Sequence, residues 1–197
     1  MWDDIKKVFR ESPEHWARVV LDREVKRYLD SLERGSLRAL EIGGVFWADA
    51  GWRSHRTANY PEYDWCAGPL DDTFDIVIAE HVLEHVTRPA AALRNARAML
   101  APGARLLVTV PFLVRIHECP VDCTRWTPFG LEQLLNECGF PIVETGSWGN
   151  RRCVKANLGR WARYKPWRHT LHNDPACPVV VWAFARRDAS PAISPSG

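Results

Sequence analysis

An alternation of apolar runs and helices constrains this chain most. Residues 37–42 (LRALEI), 75–79 (DIVIA) and 105–110 (RLLVTV) are apolar runs of strand length, as expected for strands buried on both faces. Between the second and third lies 89–100 (PAAALRNARAML), which reads as a helix with Pro89 in its first turn; APGA then turns the chain into the next strand. Another helix is expected over 127–138 (TPFGLEQLLNEC), with Thr127 as N-cap, Pro128 in the first turn and Gly139 ending it in a left-handed conformation. Strands joined by helices of this size require right-handed crossovers and a mostly parallel sheet. The run 178–185 (PVVVWAFA) adds a strand, expected to pair antiparallel with one around 142–145.

Upstream, apolar residues recur at helical spacing from about Trp2 to Leu32, with a second helix expected to start at Ser12–Pro13 and to end at Gly35. The 197 residues read as one domain, 1–187, with N-terminal helices over 1–34 and an insertion over 146–177. The tail 188–197 (DASPAISPSG) has little to bury and is expected to be disordered. A net charge of +2 is too small to imply nucleic acid or a membrane surface. Six cysteines without a CxxC pair do not make a disulfide framework in a chain this long. No signal peptide precedes the first helix, and no apolar run approaches the roughly 20 residues of a bilayer span. These features fit a soluble, cytoplasmic protein.

In an open parallel sheet, ligands sit beyond the carboxyl ends of the strands. Residues 40–44 (LEIGG) reach such an end, where a carboxylate is followed by two glycines that let backbone amides approach a ligand. FDIVIAEHVLEHV, LAPGARLLVTVPF and the Arg125-Trp126-Thr127 approach to GLEQLLNECGF follow in order. On these segments, spanning about 37–140, the chain resembles the class I S-adenosylmethionine-dependent methyltransferases. The resemblance implies an α/β, Rossmann-like, seven-stranded, mostly parallel sheet with helices on both faces and a C-terminal antiparallel hairpin.

It also implies S-adenosylmethionine as cofactor, with Glu41 and Gly43 bordering its methionine part. The family's alternating glycine is replaced by Gly43-Gly44-Val45, so the loop at Gly44 is differently bent. The usual acid after the second strand, which holds the ribose hydroxyls, is replaced by Asn59 or Tyr60, with Glu62 and Asp64 nearby. Residues 66–70, Gly68 and Leu70 among them, would follow a third strand and approach the adenine. Glu80 and His81 fall at the mouth where cofactor and acceptor meet, and Glu84 and His85 are on the next turn.

Methyl transfer is an in-line displacement at a sulfonium, and a base is needed only when the acceptor must lose a proton. Residues 111–126 (PFLVRIHECPVDCTRW) leave a central strand on the ligand side. They offer His117 as base, with Glu118 and Asp122 behind it, His85 nearby, and Arg115 and Trp126 as substrate contacts. His117, Cys119, Asp122 and Cys123 match no standard metal-ligand spacing, so the loop reads as substrate-shaping and no metal is assigned. From Arg151 to Arg168 stand seven Lys/Arg and no acid, interleaved with Trp161, Tyr164 and Trp167. This segment reads as a helical flap over the site, in which Trp148, Arg151 and Arg152 could contact an anionic or aromatic substrate. The expected activity is methyl transfer to an O or N atom of a small molecule, with neither nucleic acid nor membrane as partner. An RNA or protein methyltransferase using 151–172, and a non-catalytic binding subunit, are the alternatives; the oligomeric state, homodimer included, stays open.

Overall fold

The computed structural model describes residues 15–188. The expected helix from Trp2, the helix start at Ser12–Pro13 and the tail beyond Asp188 lie outside the described residues. Within them the strands are β1 (Arg38–Ile42), β2 (Ser54–Ala58), β3 (Phe74–Glu80), β4 (Leu100–Pro111), β5 (Ile142–Trp148) and β6 (Val180–Arg186). The helices are α1 (Arg18–Asp30), α2 (Pro89–Met99), α3 (Pro128–Glu137) and α4 (Arg151–Gly159). The sheet order is β2-β1-β3-β4-β6-β5, with β1 to β4 parallel and β6 antiparallel to both its neighbours.

This is a Rossmann-like α/β fold with six strands among the described residues, where seven were expected. The missing strand was placed ahead of residues 66–70, but 59–73 form turns and irregular chain. Pro61, Gly68, Pro69 and the acids Glu62, Asp64, Asp71 and Asp72 leave no apolar run there. The expected C-terminal pairing forms, but residues 149–179 separate β5 from β6, so it is no tight hairpin. The first three residues of the expected insertion, 146–148, belong to β5.

The strands alternate faces. Val77 and Ala79 of β3, with Leu106 and Val108 of β4, join Leu93 of α2 and Leu131 and Leu135 of α3 in one core. Ile76, Ile78, Leu107 and Phe184 face the other way and pack on Leu21, Val25 and Leu29 of α1 and Cys153 of α4. Tyr28 stacks on Phe184 with centroids 4.1 Å apart. Helix α1 ends at Asp30, before Gly35, and Arg34–Ser36 form a separate 3-10 turn. Residues 101–104, expected as a turn, run into β4, and the irregularity appears as a register shift opposite Phe74 and Ile76. Thr127 caps α3 by accepting from the Gly130 N–H at 3.0 Å, and Gly139 follows the helix at φ 81°. Such a cap stabilises by about 1 kcal/mol.

Candidate functional site

The chain leaves β1 toward β2 on one side and returns to β3 on the other, so a crevice opens between the carboxyl ends of β1 and β3. Gly43, just past β1, sits at φ 73°, a conformation that favours glycine, and its N–H donates to the Ala58 carbonyl at 3.0 Å. Here lies a cleft of about 300 Å³. Gly43, Asn59, Tyr60, Tyr63, Asp64, Trp65 and Cys66 line one side; Val82, His85, Val86, Pro120 and Val121 line the other. Mostly apolar walls with a few polar groups suit a small organic ligand. The Asn59 Oδ1 is buried without a hydrogen-bond partner, an acceptor available to a ligand hydroxyl.

Glu41 is placed differently from the sequence expectation. It is 2% exposed, and its oxygens accept from the N–H groups of Phe46 (2.6 Å) and Trp47 (3.0 Å) and contact His55 Nε2 (3.1 Å). Its carboxylate shapes the loop after β1 and does not line the cleft. Gly44 has a matching reason: a Cβ there would come within 2.6 Å of Glu41 Oε1. Glu80 is also spent internally, accepting from Arg18 Nη2 (2.8 Å) and Trp47 Nε1 (2.6 Å). Burial opposes both charges of the Arg18–Glu80 pair, yet their mutual attraction prevails, lowering the pKa of Glu80 and raising that of Arg18.

The other wall of the mouth is built from the turn after β3 and the loop after β4. His81 has φ 51°, uncommon for a residue with a side chain, and its N–H donates to the Thr109 carbonyl at 2.9 Å. Glu84, on the 3-10 turn Leu83–His85, is fully buried, and neither oxygen receives a hydrogen bond from another residue. Around its Oε1 stand His81 Nδ1 and His85 Nε2, each at 3.5 Å, and His117 Nε2 at 3.9 Å. Burial pushes the Glu84 carboxyl pKa up, against the pull of His85, His117 and Arg125. His85 Nδ1 donates to the Val121 carbonyl at 2.6 Å, which turns Nε2 toward Glu84.

His117 is held by a second carboxylate. Asp122 accepts from the His117 backbone N–H at 2.8 Å, lies 3.4 Å from Nδ1, and is forked by both Arg125 terminal nitrogens. Burial is the largest single influence and raises the Asp122 pKa, but Arg125 and His117 together outweigh it through hydrogen bonds and charge, so the net shift is downward. Burial lowers the His117 pKa, opposed by Glu84 and Asp122. The His85 and His117 rings meet edge-on at 5.1 Å, and Trp161 meets His117 at 5.3 Å and His15 at 5.4 Å. His15, Arg18, His81, His117 and Trp161 enclose a second, smaller pocket of about 20 Å³.

Of the residues expected to hold the cofactor, Gly43, Asn59 and Tyr60 line the cleft together. Leu70 lies in an adjoining pocket with Asn59, and the Gly68 carbonyl accepts from Tyr63 Oη at 2.9 Å. Several substrate candidates are not brought there. Trp148 is 2% exposed in the α1-side core and donates to the Leu171 carbonyl, so its ring cannot meet a ligand. Arg151 and Arg152 are exposed on the first turn of α4 and line neither pocket. Trp126 packs against the core, while Arg115 donates to the Gly159 carbonyl and lies 5.5 Å over Trp161. Sequence reading missed His15, Arg18 and Trp161 at the site. The first two lie on the approach to an ordinary amphipathic helix, and the third was one aromatic among several.

Comparison with known proteins bears on the family and the fold. Residues 29–145 match the family model described as a methyltransferase domain. A ubiquinone/menaquinone biosynthesis C-methyltransferase of Roseobacter denitrificans is 30% identical over 88 residues, covering 42% of this chain and 35% of that protein. The chain thus spans about a third of the length of this curated relative. An S-adenosylmethionine-dependent methyltransferase from Mesorhizobium loti superposes with a TM-score of 0.57 at 16% identity, over 83% of this chain and 96% of that one. The Burkholderia thailandensis 1,6-didemethyltoxoflavin-N1-methyltransferase, solved with 1,6-didemethyltoxoflavin and S-adenosylhomocysteine, gives 0.57 at 12% identity, over 94% and 83%. With the family match covering more than half of its residues, the chain belongs to the methyltransferase-domain family.

Proposed function

We propose that this protein moves the methyl group of S-adenosylmethionine to an oxygen or nitrogen atom of a small-molecule acceptor. The observation that carries this reading is the closeness of two spaces at the strand ends: the cleft lined by Gly43, Asn59 and His85, and a small pocket lined by His117, whose ring meets that of His85 at 5.1 Å. The cofactor fits the first. The unused Asn59 Oδ1 would accept from a ribose hydroxyl, the Gly43 backbone would flank the methionine part, and Tyr60, Tyr63 and Trp65 would frame the base. The bound cofactor supplies an electrophilic methyl carbon on a sulfonium.

The protein's own work is alignment and proton handling, and well-oriented groups can supply about 7–11 kcal/mol of the barrier. His117 is the proposed base. To take a proton at Nε2 the neutral ring must carry its own proton on Nδ1, which faces Asp122 at 3.4 Å, and the imidazolium so formed keeps that Nδ1–H on Asp122. The ring therefore has a supported arrangement before and after it takes a proton. Residues 149–179 act as the flap, reaching the site through Trp161.

The test is a labelled-methyl screen of cellular extracts followed by sizing of the product; a macromolecular product would refute the acceptor class. With an acceptor in hand, His117→Ala should lower turnover about 100-fold or more with cofactor affinity unchanged by calorimetry. Turnover within a few-fold of wild type across pH removes His117 as the proton-handling group.

A further inference from the structure

We propose that Glu84, His85 and His117 form a three-ligand site for a divalent transition-metal ion on the acceptor side of the mouth. One ligand atom from each lies within 4.8 Å of the others. His85 Nε2 and His117 Nε2 stand 3.5 and 3.9 Å from the same Glu84 oxygen. Ligand atoms of a tetrahedral site with bonds of about 2.1 Å lie about 3.4 Å apart, so small side-chain shifts close the shell.

An independent observation comes from burial. Glu84 is fully buried, yet neither carboxylate oxygen receives a hydrogen bond from another residue. An ionisable group so placed ordinarily has a partner, and a cation between it and the two imidazoles supplies one. The outer contacts also suit coordination. His85 Nδ1 donates to the Val121 carbonyl, and His117 Nδ1 faces Asp122, which Arg125 holds. Metal-binding imidazoles are commonly oriented in this way by a carbonyl or carboxylate on the far nitrogen.

The ligand chemistry narrows the ion. Two imidazoles and one carboxylate suit zinc, cobalt or iron(II), not magnesium or calcium, and three protein ligands leave a position for an exogenous group. His85 lines the larger cleft and His117 the smaller pocket, so that position falls between cofactor and acceptor. The role of the ion rests on the small-molecule reading above; its binding does not. An acceptor hydroxyl or amine on the ion loses its proton to water more readily. Its lone pair then forms the bond to the methyl carbon as the carbon–sulfur bond breaks and that pair stays on sulfur. His117 then works as a ligand in place of taking the proton itself.

The experiment titrates chelator-treated full-length protein with cobalt(II), followed by its visible bands, and repeats the titration with zinc(II) by calorimetry. One equivalent should bind without a thiolate charge-transfer band. Glu84→Gln, His85→Ala and His117→Ala should each weaken binding by at least about ten-fold, and Cys123→Ser should not. Urea unfolding of the same samples checks that each variant is folded, and the partly exposed His117 is the mildest site to alter. Wild-type protein that binds no stoichiometric ion, or ligand variants that bind like wild type, would overturn the site. Cobalt binding as expected beside a macromolecular methylated product keeps the metal site and removes the small-molecule reading. No cobalt beside a small product does the reverse.

Discussion

Near the ends of β1 and β3, Glu41 and Glu80 are buried with every oxygen engaged; on the turn that follows β3, Glu84 is buried with neither oxygen bonded by another residue. The first two lie within a few residues of strand ends and tie the loop of Phe46 and Trp47 to β2 and α1. Their hydrogen-bonding capacity is spent on architecture. Glu84, with His81, His85 and His117 around it, keeps its capacity for something that binds. Exposure does not separate the two kinds of carboxylate, since all three are nearly inaccessible. Satisfaction does.

The sharpest way to break the contrast is at Gly43, where cofactor side and backbone geometry meet. Gly43→Asp places a charged side chain at φ 73° on the wall of the cleft. We expect S-adenosylmethionine affinity to fall by more than about 100-fold, because a desolvated charge and a strained backbone act together. Calorimetry giving near-normal affinity would move the cofactor out of this cleft.

Next come the two carboxylates themselves. Glu41→Gln replaces an acceptor-only group by one whose amide must face an N–H donor, and should cost about 2 kcal/mol of unfolding free energy. Glu84→Gln breaks no hydrogen bond from another residue and should change stability by less than about 1 kcal/mol, measured by urea unfolding with chelator present. Equal losses would mean that the division between spent and unspent carboxylates has no energetic content.

Much of this frame was legible in the residue pattern. Strands β1, β3 and β4, helices α2 and α3 and the antiparallel β5–β6 pair were readable, because buried parallel strands and capped helices carry local signals in periodicity, Thr127 and Gly139. The absent strand between 59 and 73 shows the limit: the family pattern suggested it, and the local chemistry of Pro61, Pro69 and four acids prevailed. For the site, the positions of the strand-end loops were the readable part. Gly43 and Asn59 lie where their places in the strand-end loops imply. The engagement of Glu41 with His55, the burial of Trp148 and the arrival of Trp161 beside His117 depend on contacts between distant segments, and no local spacing encodes them.

A subtler prediction concerns His15, on the acceptor side. Burial, then Arg18 and His81, lower its pKa to about 4 from an ordinary 6.5. The folded state therefore binds fewer protons than the unfolded state between about pH 4 and 6.5, and stability must fall as pH drops through that window. Full expression of such a shift is worth up to about 3 kcal/mol. Glu84 slopes the other way: its raised pKa makes the folded state hold a proton longer, so stability falls as pH rises above the ordinary carboxylate range. Urea unfolding of His15→Phe should flatten the acid-side loss between pH 6.5 and 4. An unchanged slope would show that His15 charges freely in the folded protein.

The smallest effect is expected at the basic turn of α4, and its smallness is informative. Arg151 and Arg152 are exposed; Arg151 approaches Asp174 at 3.8 Å, and neither lines the pockets at the mouth. An exposed pair of this kind contributes little to stability. The double change Arg151→Gln with Arg152→Gln should leave kcat/KM for a small acceptor within about two-fold and reduce no salt dependence, because two screened charges well outside the site steer a small molecule weakly. A macromolecular acceptor laid across α4 would behave otherwise, losing affinity with each phosphate or carboxylate contact removed and becoming less sensitive to salt. A several-fold loss that disappears at high ionic strength would therefore shift recognition from the histidine-lined pocket to the basic surface, and the division between a cofactor side and an acceptor side would have to extend along α4.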